Sequence, residues 1–370
     1  MIINKSLNRI KSLTIKEFQN LWVDKRITGM LLLSPVVQLL IFAWAVTLEV
    51  KNVSMIIFDK DNTQYSRELS MRFNNDSIVK EVIFVNNYPE MKTLINNQDA
   101  LFAMVIPQDF QNDIISGAGS QVQFILDGRK TNSSQVFASY ATTIVQTFQA
   151  EMSKTTSKVQ IDTRNWFNPN LEYQWYISIT MTAILSMITA LIITALSLAQ
   201  EKEFGTFDQT IVSPLQPTEI LIGKTIPAIV FALIVTGIMI IAGVVIFGVP
   251  VISPVWLIFL ITALFLLSIS GIGLFISSMC KSQQQAILGV FAFMVPSLLI
   301  SGFVSPINQM PFVMRIIGYI NPVTYYILLM KGLFLKSIPY YLVVRYSIPL
   351  VIISICTLTF AGWFFKKRLD

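Results

Sequence analysis

Along most of this chain, long uncharged apolar runs alternate with short polar punctuation, and one long polar stretch interrupts the series. The runs lie at about Met30–Val46, Trp175–Leu198, Thr225–Phe247, Val255–Met279, Ala286–Val304 and Tyr346–Phe365. Each comes close to the roughly 20 predominantly apolar residues that a helix needs to cross a bilayer. The pattern predicts an α-helical polytopic membrane protein with six transmembrane helices. The first is expected over residues 28–48 and the other five within 174–370.

The interrupting stretch, residues 49–173, changes period. Val53–Phe58 reads as a buried strand closed by the turn cluster Asp59-Lys60-Asp61-Asn62, with further strands expected at Val82–Val85, Leu101–Ile106 and Val122–Leu126. Helices are expected around Ser66–Phe73 and after Ser133 or Ser134, either of which can cap the second. That helix would carry Val136, Tyr140, Ile144, Phe148 and Met152 on one face. The result is a compact α/β domain inserted between the first and second spans. Asp59 and Asp61 could pair on a metal, but aspartates at a turn commonly bind their own backbone, and a turn is expected. No G-x-G-x-x-G follows any strand, so a dinucleotide fold has no support.

Residues 1–27 place Leu7, Ile10, Thr14, Phe18, Leu21 and Trp22 at helical spacing, with lysines on other faces. A basic amphipathic helix with tryptophan near its end suits a membrane surface, so an interfacial elbow helix is expected; a helix packed on a partner has the same pattern. Over residues 305–335, Pro306, Pro311 and Pro322 break apolar sequence repeatedly. A straight helix cannot run through them, whereas short re-entrant helices shielded by protein can.

Hydrophobic residues make up 54% of the 370 residues and charged ones 13%, which excludes an ordinary soluble domain. The net charge of +6 needs no nucleic acid to explain it. Lys5, Arg9, Lys11, Lys16, Lys25 and Arg26 precede the first span, and Lys366, Lys367 and Arg368 follow the last. The positive-inside rule then places both termini in the cytoplasm, which an even number of spans allows. Lys331, Lys336 and Arg345 fall on the external side and count mildly against it. Ala43-Trp44-Ala45 resembles a signal cleavage site, yet the basic region before it is long and the apolar run can span, so a retained helix is expected. There is no histidine, and the two cysteines, Cys280 and Cys356, sit in or at apolar spans. A zinc site, a histidine base and a structural disulfide are not expected.

The sharpest signal is Glu201-Lys202-Glu203-Phe204-Gly205-Thr206, directly after the second apolar run. Gly205 can break one helix, Thr206-Phe207-Asp208-Gln209 has the capping-box pattern of another, and Ser213-Pro214 stops it. A break, a short helix over residues 206–213 and a proline stop make a rigid knob at the membrane surface. These residues, with Ser213-Pro214-Leu215 and Gly223-Lys224, resemble the permease subunit of ATP-binding-cassette exporters of the type-2 permease family. Ile56-Ile57-Phe58-Asp59, with Asp61 and Ser66-Arg67, is similar to the opening of that family's external domain. Asn321-Pro322-Val323-Thr324-Tyr325 resembles a signature on its external side. There the family continues with arginine and then a lysine-glycine pair, where this chain has Lys331-Gly332 and Lys336-Ser337.

The resemblance implies that the short helix is a coupling helix docking on a separate ABC ATPase. Glu201, Lys202, Glu203, Phe204, Gly205, Thr206, Phe207, Ile211 and Pro214 then form the coupling region. Glu201 and Glu203 would meet basic residues or helix N-termini of the ATPase, with Phe204, Phe207 and Ile211 as the apolar anchor. Pro306, Pro311, Asn321, Pro322 and Tyr325 would mark the external gate. ATP and magnesium would belong to the partner, with no cofactor, metal or catalytic residue on this chain. Implied partners are that ATPase, a second permease (homodimer or paralogous heterodimer), membrane lipid, and a periplasmic adaptor where the envelope provides one. The implied location is the bacterial inner (cytoplasmic) membrane.

Residue chemistry points the same way. Gly223-Lys224-Thr225 looks like the tail of a P-loop, but Thr218 stands where the loop's first glycine is needed, and the segment runs into an apolar span. Gly223 is expected to allow close approach of a neighbour, and Lys224 to anchor at headgroup level. The runs 175–198, 225–279 and 286–310 hold no Asp, Glu, Lys, Arg or His, whereas such residues mark ion-coupled transport. With neither device, outward transport must draw on a partner's ATP. The uncharged interior suits an amphipathic or lipid-linked substrate or drug. Ser186, Met187, Thr189 and Thr194 either line a path or pack helices. The competing readings are a membrane-anchored sensor or assembly protein whose external domain binds a ligand or protein, and a self-contained channel or secondary carrier.

Overall fold

The computed structural model describes residues 2–23, 25–45, 53–74, 79–97, 99–127, 131–152, 172–212, 215–336 and 338–369. They fall into two compact units, one helical and drawn from both flanks of the polar stretch, the other α/β and drawn from the stretch itself. The helical unit opens with α1 (Ile2–Val23) and α2 (Lys25–Ala45). The α/β unit follows as β1 (Val53–Asp59), α3 (Gln64–Asn74), β2 (Val79–Phe84), α4 (Tyr88–Asn96), β3 (Phe102–Ile106), α5 (Phe110–Ser116), β4 (Gln123–Leu126) and α6 (Thr131–Met152).

Its four strands form one sheet of order β2-β1-β3-β4, with β1 parallel to β2 and β3, and β4 antiparallel to β3. The central strands are buried on both faces, which is why Met55-Ile56-Ile57 and Phe102–Ile106 read as continuous apolar runs. Phe73, Phe110, Phe137 and Phe148 cover one face, Phe137 stacking on Phe102 at 3.9 Å; Met91 and Val85 belong to the core on the other. Neither α4 nor α5 was anticipated, although Asn87-Tyr88-Pro89-Glu90 carries a start signal. The Asn87 side chain accepts from the Glu90 N–H at 2.9 Å, and proline sits in the first turn. α6 begins at Thr131, ahead of the expected caps Ser133 and Ser134, and its buried stripe runs through Phe137, Ala141 and Phe148 while Val136 is exposed. Asp59 is a turn former: Oδ1 accepts from the N–H groups of Asp61 and Asn62 at 3.0 Å, and Oδ2 from the Ser66 hydroxyl at 2.7 Å. Asp61 accepts from the Gln111 N–H in the first turn of α5 at 3.1 Å.

The helical unit resumes with α7 (Tyr173–Glu203), the short α8 (Phe207–Val212), α9 (Pro217–Phe247), α10 (Val255–Met279) and α11 (Gln283–Ile300). A single 3-10 turn (Ile307–Gln309) leads to α12 (Phe312–Ile320), α13 (Pro322–Leu335) and α14 (Tyr340–Leu369). Among the described residues six helices, α2, α7, α9, α10, α11 and α14, are long and apolar enough to cross a membrane, and α12 and α13 form a broken pair bent by 73°. Several boundaries differ from the apolar runs: α2 begins at Lys25 rather than Met30, and α14 at Tyr340 rather than Tyr346. α7 continues through Glu203, α9 begins at Pro217 rather than Thr225, and α11 ends at Ile300 rather than Val304. The 31 residues of α7 rise about 46 Å at 1.5 Å each, well past a hydrocarbon core of roughly 30 Å. Hydropathy marks where the core ends, and the helix itself goes on.

Within α7, Thr180, Thr182, Ser186, Thr189 and Thr194 each return a hydroxyl to the carbonyl four residues back. Ser186 meets Thr236 of α9 at 2.7 Å, and Thr262 of α10 meets Tyr326 of α13 at 2.9 Å. Ser186, Met187, Thr189 and Thr194 are all buried helix contacts within this chain. Side-chain contacts also sort the helix ends into two sets. At one end Trp175 of α7 donates to the Phe247 carbonyl closing α9 at 3.1 Å, and Trp44 of α2 meets the Phe247 ring edge-on at 5.6 Å. At the other, α1 and the last turns of α14 lie with the end of α7 and the start of α9.

Candidate functional site

That second end is built around Glu201–Thr206. Gly205, at φ 71°, takes the left-handed conformation that terminates α7. The N–H and hydroxyl of Thr206 both return to the Glu201 carbonyl, at 3.0 and 3.3 Å. Thr206 thus serves the helix behind it, and it stands directly before α8, the place where the capping-box pattern expected it. A capping box is formed on α9, where the Glu219 carboxylate accepts from the Gln216 N–H at 3.0 Å.

Each charge in the segment binds a different neighbour. Lys202 donates to the carbonyls of Ser277, Ser278 and Cys280 at 3.2, 2.8 and 3.2 Å, satisfying the C-terminus of α10. Glu203 accepts from the Gln283 N–H at the start of α11 at 2.7 Å. Glu201, only 9% exposed, lies 3.1 Å from Lys224 and 3.3 Å from Lys16. Lys224 also donates to Glu17 at 2.8 Å and to the Ser197 hydroxyl at 3.2 Å, so α1, α7 and α9 meet at one buried cation. Close by, Glu219 accepts from the Ser6 hydroxyl at 2.5 Å and lies 3.8 Å from Arg9.

Two expectations change here. Lys224, expected as a headgroup anchor, has a wholly buried side chain that ends on Glu17 and Glu201. Glu201 and Glu203, expected to meet an ATPase, are engaged within the chain. The seat of α1 also went unread. A Cβ on Gly223 would lie 2.6 Å from Leu13 Cδ2, and Leu13 is buried while Leu7 and Trp22 of the expected apolar face are exposed. The only local signal was Gly223 itself, at the position where a helix approaches closely.

The aromatic residues divide likewise. Phe207 turns inward, edge-on to Phe365 of α14 at 6.2 Å and with Lys202 Nζ 5.4 Å above its ring. Phe204 and Val212 face outward, 64% and 86% exposed. Of the other coupling residues named from sequence, Ile211 lies in α8, and Pro214 falls outside the described residues, as does Ser213.

At the opposite end, the gate residues lie in the broken pair α12–α13 or in the segment leading to it. Pro306 precedes the 3-10 turn, Pro311 precedes α12, and Pro322 opens α13, where its missing N–H has no helical partner to lose. Asn321 holds the corner: its Oδ1 accepts from the Val323 N–H at 3.1 Å, and its Nδ2 donates to the Ser297 carbonyl of α11 at 2.7 Å. The hydroxyls of Thr324 and Tyr325 donate to the carbonyls of Gly318 and Tyr319, both at 2.8 Å. Asn321→Ala is expected to remove the cap and leave a buried carbonyl unpaired, costing about 2 kcal/mol. Asn321→Ser, which keeps a cap but cannot reach Ser297, should fall between. Thermal melts of the purified chain check the order, and an unchanged melt for the alanine variant would show that the corner is held otherwise.

The sequence profile of a family described as "ABC-2 family transporter protein" matches residues 25–363, from the start of α2 almost to the end of α14. This chain belongs to the ABC-2 transporter family. The match takes in the α/β unit as well as the spans. "Probable multidrug ABC transporter permease YbhR" of Escherichia coli is 35% identical over 98% of this chain and 99% of its own length. "Probable multidrug ABC transporter permease YbhS" is 27% identical over 99% and 98%, and "Inner membrane transport permease YhhJ" 26% over 99% and 99%, both from Escherichia coli. The protein is a multi-pass ABC transporter permease subunit, itself non-catalytic, with ATP hydrolysis on a separate partner. Family membership also implies a dimeric arrangement of permeases and places ATP and magnesium on the ATPase.

Proposed function

We propose that the permease moves an amphipathic or lipid-linked molecule or drug outward across the bacterial inner membrane, driven by its ATPase through Phe204 and α8. The observation that carries this reading is the polar lattice at the root of α8. Glu201, Lys202 and Glu203 tie that root to α1, α9, α10 and α11, and Phe207 ties α8 to α14. A push on α8 therefore reaches the bundle through short bonds. The docking face is assigned to Phe204 and Val212, exposed apolar residues that a partner can bury, rather than to the carboxylates. Buried aromatic anchors of this type dominate protein interfaces.

Sidedness follows from charge. The basic residues of α1 and of the end of α14 share the α8 end of the bundle, which favours the cytoplasm for it. The other end then faces outward, with the broken pair α12–α13 as the external gate and the inserted α/β unit on the outer side, where an adaptor could reach it. A second permease encloses the path. The uncharged spans and the multidrug names of the Escherichia coli relatives both favour an amphipathic cargo. Phe204→Ser combined with Val212→Ser is expected to weaken the apparent affinity for the ATPase about tenfold, the loss of roughly 1.4 kcal/mol of contact, with the melting temperature unchanged. Full affinity in that double variant would remove the docking assignment.

A further inference from the structure

A cavity of about 980 Å³ lies between α1, α7 and α9, with Phe204 and the Glu201–Lys224 lattice in its wall and its interior unassigned by the coupling scheme. Its volume is at the upper end of the roughly 300–1,000 Å³ typical of small-molecule sites. The lining changes character along its length. α1 contributes a polar column four residues apart, Asn8, Ser12, Lys16 and Asn20, and α7 adds Ser197 and Gln200 near its end. One to two turns deeper, α7 presents Ile192, Ile193 and Leu196, with Leu31 from α2. Ile192 and Gln200 are about 12 Å apart along the helix axis. A polar head and an apolar tail are thus accommodated in the order in which a lipid stands in a leaflet.

Charge selects the head. Lys224, Glu17 and Glu201 are bound to one another and largely enclosed, whereas Lys16 and Arg9 keep 52% and 38% of their side-chain surface open. The contact of Lys16 with Glu201, at 3.3 Å, is half-exposed, its lysine end open to solvent, and Lys224 lies nearer the same Glu201 oxygen at 3.1 Å. Lys16 can therefore turn to a ligand while Lys224 continues to hold Glu201.

We propose that this cavity binds an amphiphile with an anionic, phosphate-type head at Lys16 and the polar column, and an apolar tail along Ile192 and Leu196. A phospholipid of the surrounding leaflet and a phosphate-linked cargo lipid share this chemistry. The site rests on the cavity alone and would stand in a chain that exported nothing.

The test uses the full chain in nanodiscs of equal phosphatidylcholine and phosphatidylglycerol, with retained lipids identified by native mass spectrometry. Phosphatidylglycerol should be retained preferentially. Lys16→Gln should cut the preference about fivefold, the effect of one cation beside an anionic headgroup. Leu196→Trp, which fills the tail region without changing charge, should abolish it; should that variant melt early, Leu31→Trp takes its place. Absence of a preference, or a preference that survives the filled tail region, would overturn the proposal. Displacement by inorganic phosphate would also overturn it, since no tail would then be recognised. An isoprenyl phosphate that displaces phosphatidylglycerol at equal concentration identifies a cargo site, and one that does not identifies a resident phospholipid.

Discussion

Lys224→Met is expected to be the most damaging single change at the α8 end of the bundle, costing about 3–5 kcal/mol. Methionine keeps the length of the side chain but leaves Glu17 and Glu201 together, 12% and 11% exposed, with only the half-exposed Lys16 still beside Glu201. Breaking a buried ion pair costs more than the pair itself contributes, because the carboxylates left behind, Glu17 above all, have little water to replace the lost ammonium. At roughly 2–4 °C per kcal/mol for a larger chain, the melt should fall by about 10 °C, and α1 should become sensitive to protease. Adding Glu17→Gln and Glu201→Gln should recover most of the loss, since a neutral set lacks the uncompensated charge. A single variant that melts like the parent would mean that Leu13 on Gly223 seats α1 without the lattice.

Gly271→Val is expected to prevent assembly of the bundle. A Cβ at Gly271 would lie 2.5 Å from Thr357 Oγ1 and 2.8 Å from both Leu358 N and Thr357 C, so α14 approaches α10 backbone to backbone there. The same contact is held by the Thr357 hydroxyl donating to the Ser268 carbonyl, and the Ser268 hydroxyl donating to that of Leu350, both at 3.1 Å. Backbone cannot rotate out of the way as a side chain can. The cost should exceed the usual overpacking range of about 1–3 kcal/mol, because α14 must move and release both hydrogen bonds. The folded yield should fall to a small fraction in size-exclusion chromatography. Gly29→Ala, where nothing lies within 4 Å, serves as the control. A valine variant that elutes and melts like the parent would mean that the two helices are not this close.

The spans were legible because a bilayer imposes length and apolarity on each run independently of its neighbours. Their ends were not. α7 passes Leu198 and continues to Glu203 because its last charges have partners on α1, α9, α10 and α11, which no local pattern reveals. Glu201–Thr206 marked the end of α7, but the direction of its charges was hidden: the same charges suit a docking face or a buried lattice, and only burial distinguishes the two. Phe204 and Phe207 are equally apolar in sequence, yet one faces out and the other packs on Phe365. The corner at Asn321-Pro322 could be read as a break because proline acts on the residues beside it, while the bond from Asn321 to Ser297 joins distant segments. In the α/β unit, continuous apolar runs exposed the central strands. The short α4 and α5 lacked enough turns to display a period, and a helical stripe started one residue early put Val136 where Phe137 belongs.

The central claim is that a separate ATPase drives this permease from the α8 end of the bundle. Purifying the tagged chain from its native membrane in mild detergent, and quantifying the proteins that come with it, tests this most directly. The account predicts an ABC ATPase in stoichiometric amount, depleted by Phe204→Ser with Val212→Ser and retained with Asn321→Ala. A folded, monodisperse chain that brings no ATPase with it would contradict the account.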